Sequence, residues 1–270
     1  MKLLAKSGNE NGLSMIEVLI ALILGSLVLG AVFHAYIIQS KNWNIQTEIT
    51  DMQQNARAAI NEIARQVRMA GHELPLGINP IIAVNTDPDT IVINYSADGC
   101  NAEVEFDMGS TSANIRFGTN DISCFSPGQS AYIFHPDSGG SEFFIIDNIN
   151  LTSGEISHSP FLNYYYKDAI VLSLDQIKYF IDKSDTLHHN LMVQYAGQTP
   201  QVYAENIDDL QFTFKMKNGT ITNSPVLVRD IREVRILITS RTANPDPDFP
   251  IDPYRRKSYV SKVNLRNLDI

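Results

Sequence analysis

Polar and apolar positions divide the chain into stretches of different character. From Val18 to Ile38, 21 consecutive residues include no Asp, Glu, Lys or Arg. Wound as a helix, such a run spans roughly 30 Å, the hydrocarbon thickness of a bilayer. Past it, apolar residues recur at Ile45, Ile49, Met52, Ala56, Ala59, Ile63 and then Val67 or Ala70. The steps of four and three predict one apolar stripe on an amphipathic helix. Asp51, Gln54, Arg57, Asn61, Glu62, Arg65 and Arg68 fill its other faces. No proline precedes Pro75, and Gly71 is a good stop residue. The pattern therefore predicts one helix over about residues 13–70, roughly 87 Å long at 1.5 Å per residue.

After Pro75 the period changes. Short alternating or β-branched runs are separated by turn residues, which predicts strands. The candidates are Thr90–Tyr95, Glu103–Phe106, Asn114–Phe117, Ala131–Phe134, Glu142–Ile149, Gln176–Ile181, Leu191–Tyr195, Leu210–Met216, Arg232–Thr239 and Tyr259–Leu265. Asn218-Gly219 signals a hairpin after Met216. No later helical pattern is strong. The fold class expected is α+β, with a mainly antiparallel β body packed on the second half of the long helix.

Charge and chemistry change this picture little. The 270 residues carry a net charge of -9, with arginines scattered in small groups such as Arg255-Arg256-Lys257. Nucleic-acid binding by the folded part is not expected, since such domains carry a basic stripe. The two cysteines, Cys100 and Cys124, have no histidines at zinc-site spacing. They can form one disulfide if the body lies outside the cytoplasm, or stay free thiols in the core. The stretch Asp98 to Pro127, which holds both, has little periodicity and reads as an insertion at a sheet edge. The loop from Asn244 to Pro253 alternates proline with Asp246, Asp248 and Asp252. Clustered oxygens suit calcium, but the spacing matches no calcium-binding loop, and solvated acidic loops are commoner. His188-His189 would point to opposite faces of a strand, which is poor for a shared metal. Tyr164-Tyr165-Tyr166 reads either as an exposed adhesive patch or as core plus rim. Asp208-Asp209 is a pair by sequence only. No catalytic constellation, metal site or cofactor motif is present, so neither an enzyme nor a cofactor is expected.

Glu17 sits just ahead of the apolar run. An acidic residue in a membrane helix costs about 2.5–3.5 kcal/mol at the centre and less near an end, so it asks for a function and a partner. Lys2 and Lys6 keep the N-terminus cytoplasmic, which puts the body outside. A cleavable signal peptide is the plain alternative. Against it stand the length of the apolar run, a weak cleavage site around Ala31 and Ala35, and Glu17 itself. Ser26 with Gly30, and Ala31 with Ala35, are small residues four apart, a pattern that lets helices approach closely.

The run Gly12-Leu13-Ser14-Met15-Ile16-Glu17, followed by some twenty apolar residues, resembles the prepilin cleavage motif of type IV pilins and type II secretion pseudopilins. The resemblance implies that a prepilin peptidase cuts after Gly12 and methylates the new amine of Leu13. It implies that Glu17 serves assembly with other pilins through the N-terminal helix. One departure is Leu13, where the family usually has phenylalanine. Cleavage would give Leu13 a positive amine at membrane depth, and that amine and the Glu17 carboxylate can neutralise each other. The stretch from Asn55 to Met69-Ala70-Gly71, and later Glu205–Phe212, resembles the PilW-type minor pilins, with the J-type minor pseudopilins as neighbours. The chain then divides into a leader (1–12), a membrane or fibre-core helix (13–38), an amphipathic scaffold (39–71) and a β-rich body (72–270). The expected location is the inner membrane, with the body periplasmic, and then a fibre at the cell surface. The function expected is that of a minor pilin priming assembly near the tip. The alternatives are a minor pseudopilin of type II secretion and a membrane-anchored periplasmic binding domain that never assembles.

Overall fold

The computed structural model describes residues 14–75, 77–96, 98–137, 140–159, 163–246 and 252–268. The chain forms two compact units, Met1–Ile49 and Thr50–Ile270. The helix α1 (Met15–Met69) begins in the first unit and ends in the second.

In the first unit the apolar side chains of α1 lie bare. Leu22, Leu27 and Phe33 are each 65% exposed, and Trp43 is 72% exposed. A water-soluble surface does not carry so long an apolar face without a use for it. Among the described residues α1 is the one helix long and apolar enough to cross a membrane.

In the second unit the amphipathic stripe becomes a core. Met52, Ala56, Ala59, Ile63, Val67 and Ala70 are buried as the period requires, joined by Ile60 and Ala64. Gly71 ends the helix with φ +82. A Cβ there would meet Leu268 Cδ2 at 2.5 Å, so the position takes glycine for both conformation and space.

The strands are β1 (Ile81–Val84), β2 (Thr90–Tyr95), β3 (Asn101–Glu103), β4 (Ile115–Arg116), β5 (Ser130–Phe134), β6 (Ser141–Asn150), β7 (Glu155–His158), β8 (Ile170–Ser173), β9 (Asp175–Asp182), β10 (Asn190–Tyr195), β11 (Gln201–Glu205), β12 (Ile207–Met216), β13 (Ile221–Thr222), β14 (Ile231–Arg241) and β15 (Arg256–Asn264). They form three sheets, ordered β1-β2-β9-β10-β11, β13-β12-β14-β15 and β3-β8-β5-β6-β7-β4. All described pairings are antiparallel. The first two sheets share one core with the helix stripe, built on Ile91, Tyr179, Leu191, Phe212, Phe214 and Ile236. This is an α+β architecture.

A polar network crosses the helix face. The Gln66 side chain donates to Glu62 at 2.8 Å and accepts from the Tyr95 hydroxyl at 3.1 Å. Burial opposes the charge on Glu62, but donors from Arg65, Gln66 and Tyr179 outweigh it and hold its carboxyl below the ordinary 4.5. A carboxyl lowered by folding stabilises the fold above its unfolded value, and that stabilisation is lost as pH falls through the folded value. Asp89, raised by burial, has the opposite sign. The difference in melting temperature between wild type and Glu62→Gln should therefore shrink as pH drops below 4.5, measured by circular dichroism melts.

The third sheet is an insertion. β2 and β9 are neighbours in the first sheet, yet residues 96–174 lie between them in the chain. The expected edge insertion, Asp98 to Pro127, is only the first part of this larger one. It supplies both edge strands of the third sheet, β3 and β4. Glu105 N–H donates to Arg116 O at 3.0 Å, linking the segments that follow β3 and contain β4. The sheet encloses its own core, including Val104, Ile115, Phe117, Ile133, Ile146 and Tyr165. The strand expected at Glu103–Phe106 is observed at Asn101–Glu103. Val104 still alternates inward, but its backbone bonds to Ala169 and that of Glu105 turns to Arg116.

Cys100 and Cys124 form a disulfide with their Cα atoms 5.9 Å apart, closing a loop over a separation of 24 residues. Ile122 and Phe125, beside Cys124, are buried in the same core. Replacing both cysteines by serine is expected to cost about 3 kcal/mol in the chain-entropy model. Hydrogen exchange should show the loss in β3, β8 and β5, with the helix stripe from Met52 to Val67 still protected.

Candidate functional site at the start of the helix

Ser14 stands immediately before α1, and its carbonyl accepts the N–H groups of Glu17 at 3.0 Å and Val18 at 3.2 Å. It is the residue that caps the helix. Glu17 is the third helical residue, and its Oε2 accepts the Ser14 N–H at 3.3 Å. This is the glutamate half of a capping box, in which a side chain one turn in satisfies a backbone donor left free at the helix start. The negative charge also suits the positive end of the helix dipole. An ionised carboxylate has about four acceptor sites. Among the described residues the Ser14 N–H is the donor that uses one of them.

Gly12 and Leu13 lie outside the described residues. The chemistry of a cut between them is still defined. The Ser14 N–H belongs to the peptide joining Leu13 to Ser14, so it survives that cut and the cap survives with it. The new amine would arise four residues upstream of the Glu17 carboxylate, which has acceptor capacity to spare.

Farther along, one polar side chain of the apolar segment is satisfied within the helix. The Ser26 hydroxyl donates to Ile23 O at 2.8 Å, so it adds no unpaired donor to an apolar medium. Gly25 and Gly30 have open space around them: an added Cβ would meet nothing within 4 Å.

The other candidates are dispersed. His189 Nδ1 lies 3.0 Å from Asp208 Oδ1, while His188 lies 3.4 Å from Asn206 Oδ1. Asp208 and Asp209 do not act as a pair. Asp209 accepts from its own strand, from Leu210 N–H and the Gln211 amide. Asp208 meets Arg241 at 3.2 Å and Arg256 at 2.5 Å. Two of the three loop aspartates are likewise taken by arginines, Asp246 by Arg255 at 2.6 Å and Asp252 by Arg256. Asp248 lies outside the described residues. Among the described residues no three His, Cys, Asp or Glu side chains group as metal ligands. Tyr165 is buried at 1% exposure, and Tyr164 and Tyr166 on either side of it are each 58% exposed. The arginine roles were not readable in the sequence, because Asp208 and Arg256 meet only through strands far apart in the chain.

Residues 7–33 match the family model described as the prokaryotic N-terminal methylation motif. This N-terminus is of the type IV prepilin kind. The motif indicates a pilin-like protein, either pilin or pseudopilin. It implies processing by prepilin peptidase and assembly with other pilins. Together with the bare apolar helix it fits anchoring in the membrane with a periplasmic body. Searches of curated proteins and of solved structures found no match.

Proposed function

We propose that this pilin-like chain is a minor pilin of a type IV pilus, of the PilW kind, that primes or supports assembly near the fibre tip. The observation that carries the reading is a methylation motif at residues 7–33 heading a helix whose apolar side chains are bare from Met15 to Trp43. A side chain exposed in one copy is buried when helices bundle, in the membrane or in a fibre. The β body, with its inserted third sheet, is bulky for a subunit repeated along a shaft and suits one present in few copies.

In this reading the peptidase cuts after Gly12 and methylates Leu13. The Leu13 amine of one subunit and the Glu17 carboxylate of the next neutralise each other only when their helices are correctly staggered, so the pair sets the register. Gly25, Ser26 and Gly30 give a neighbouring helix a close approach. A glycine inside a helix costs about 1 kcal/mol against alanine, and among the described residues none fills the space it leaves.

The test is a strain lacking this chain, examined for surface fibres and then complemented with an epitope-tagged copy. The reading predicts few or no fibres without the chain, and label at fibre ends with it. Normal fibres together with failed protein secretion would instead assign the chain to a type II secretion pseudopilus.

A further inference from the structure

β15 is an edge strand of the second sheet, with no strand paired on its outer side among the described residues. Its register with β14 is unbroken from Arg256 to Asn264. Just beyond each end of this pairing, Leu265 N–H donates to Arg232 O and Thr242 N–H donates to Arg255 O, both at 3.0 Å. The odd-numbered residues of β15 therefore spend their backbone groups on β14. Ser258, Val260, Lys262 and Asn264 turn theirs outward. All four are exposed. They form a row of donors and acceptors of the kind an added strand pairs with.

The C-terminal end of this edge is strongly cationic in a chain of net charge -9. Arg68, His72, Lys262 and Arg266 line a cavity of about 520 Å³ together with Asn264 and Asn267. Among the described residues none of the three arginine and lysine side chains is held in an ion pair. Lys262 also stands directly opposite Arg235 of β14. Like charges facing each other across strands work against the sheet and favour any anion that comes between them. Glu233, opposite Asn264, is the acidic residue of β14 on that face.

We infer that the free edge of β15 binds an extended, acidic segment of another polypeptide. The segment adds as a strand beside Ser258 to Asn264, and a carboxylate side chain of it reaches the cleft of Arg68, Lys262 and Arg266. The edge supplies main-chain bonds and the cleft selects for charge. This inference needs only the body and stands apart from the pilin reading. A cationic edge is also a common way of keeping strands from aggregating, and the test separates the two.

The probe is a fluorescent nine-residue peptide alternating glutamate with valine or threonine, titrated against the full chain in detergent micelles. The same peptide with glutamine for glutamate, and inorganic polyphosphate, are the comparisons. Val260→Pro removes one outward N–H and leaves the pairing to β14, so it should keep the wild-type circular dichroism melt. Both Val260→Pro and the double variant Lys262→Glu with Arg266→Glu should weaken peptide binding by about tenfold or more. The glutamine peptide should bind as weakly as the charge-reversed protein binds the acidic one. Equal binding by wild type and a folded Val260→Pro would overturn the proposal in favour of a bare anion site, as would polyphosphate displacing the peptide equally from both. No binding of the acidic peptide to wild type would leave β15 a blunted edge and overturn it as well.

Discussion

Replacing Glu17 by alanine is expected to abolish fibre formation while the protein is still inserted and still cleaved. Two effects compete for the explanation, and their sizes differ. Loss of a cap costs about 0.5–2 kcal/mol and acts on the first turn of a 55-residue helix. Loss of one partner from a desolvated charge pair costs about 3–5 kcal/mol, because the other charge stays behind unpaired. At every subunit added, the second loss weakens assembly by more than a hundredfold. Glutamine at position 17 separates them. It keeps an acceptor for the Ser14 N–H and so keeps the cap, but it has no charge. The account predicts that Glu17→Gln assembles as poorly as Glu17→Ala, counted as fibres by electron microscopy against equal amounts of membrane protein. Normal fibres with Glu17→Gln would reduce Glu17 to a capping residue.

Asp208→Ala is expected to be the most damaging single change in the body. Its carboxylate, 12% exposed, lies between His189, Arg241 and Arg256. Arg241 is 4% exposed, its guanidinium rests 4.5 Å over the Tyr254 ring, and it donates to Leu187 O. Without Asp208 that cation remains buried without its ion-pair partner, with only the exposed Asp252 as a more distant opposite charge, at a cost of about 3–5 kcal/mol. For a body of this size the melting temperature should fall by roughly 6–20 °C. Arg256 is 36% exposed, so Arg256→Gln should cost about 1 kcal/mol or less. Calorimetry on the two variants tests the order. A similar small loss for both would mean that Arg241 is held by the ring and the Leu187 carbonyl instead.

How much of this was legible in the sequence depended on whether the signal was local. The helix stripe from Met52 to Val67, its stop at Gly71 and the Asn218-Gly219 turn follow from period and backbone freedom, and the structure has them. The strands Ile81–Val84, Glu155–His158, Ile170–Ser173 and Gln201–Glu205 went unread. The first and third are short runs with no alternation to mark them, and the second is mostly polar. The fourth is separated from β12 by Asn206 alone, at φ +58, so no longer turn marks it off, and the strand read from the sequence began only at Leu210. The third sheet was hidden for a different reason. Nothing local says that Tyr95 and Asp175 are partners, and only their pairing reveals residues 96–174 as an insertion. At the helix start, Ser14 and Glu17 are the two ends of one four-residue stretch, readable as a capping box and as an assembly site. The structure shows the first role, and the second belongs to more than one chain.

The most direct test of the central claim is the N-terminus of the mature protein. Intact mass and N-terminal sequencing of the chain from membranes, with and without prepilin peptidase, decide it. The account predicts a chain beginning at N-methyl-Leu13 only when the peptidase is present. A chain beginning at Met1 in both preparations, or near Ala35, would contradict it and leave Glu17 with its cap alone.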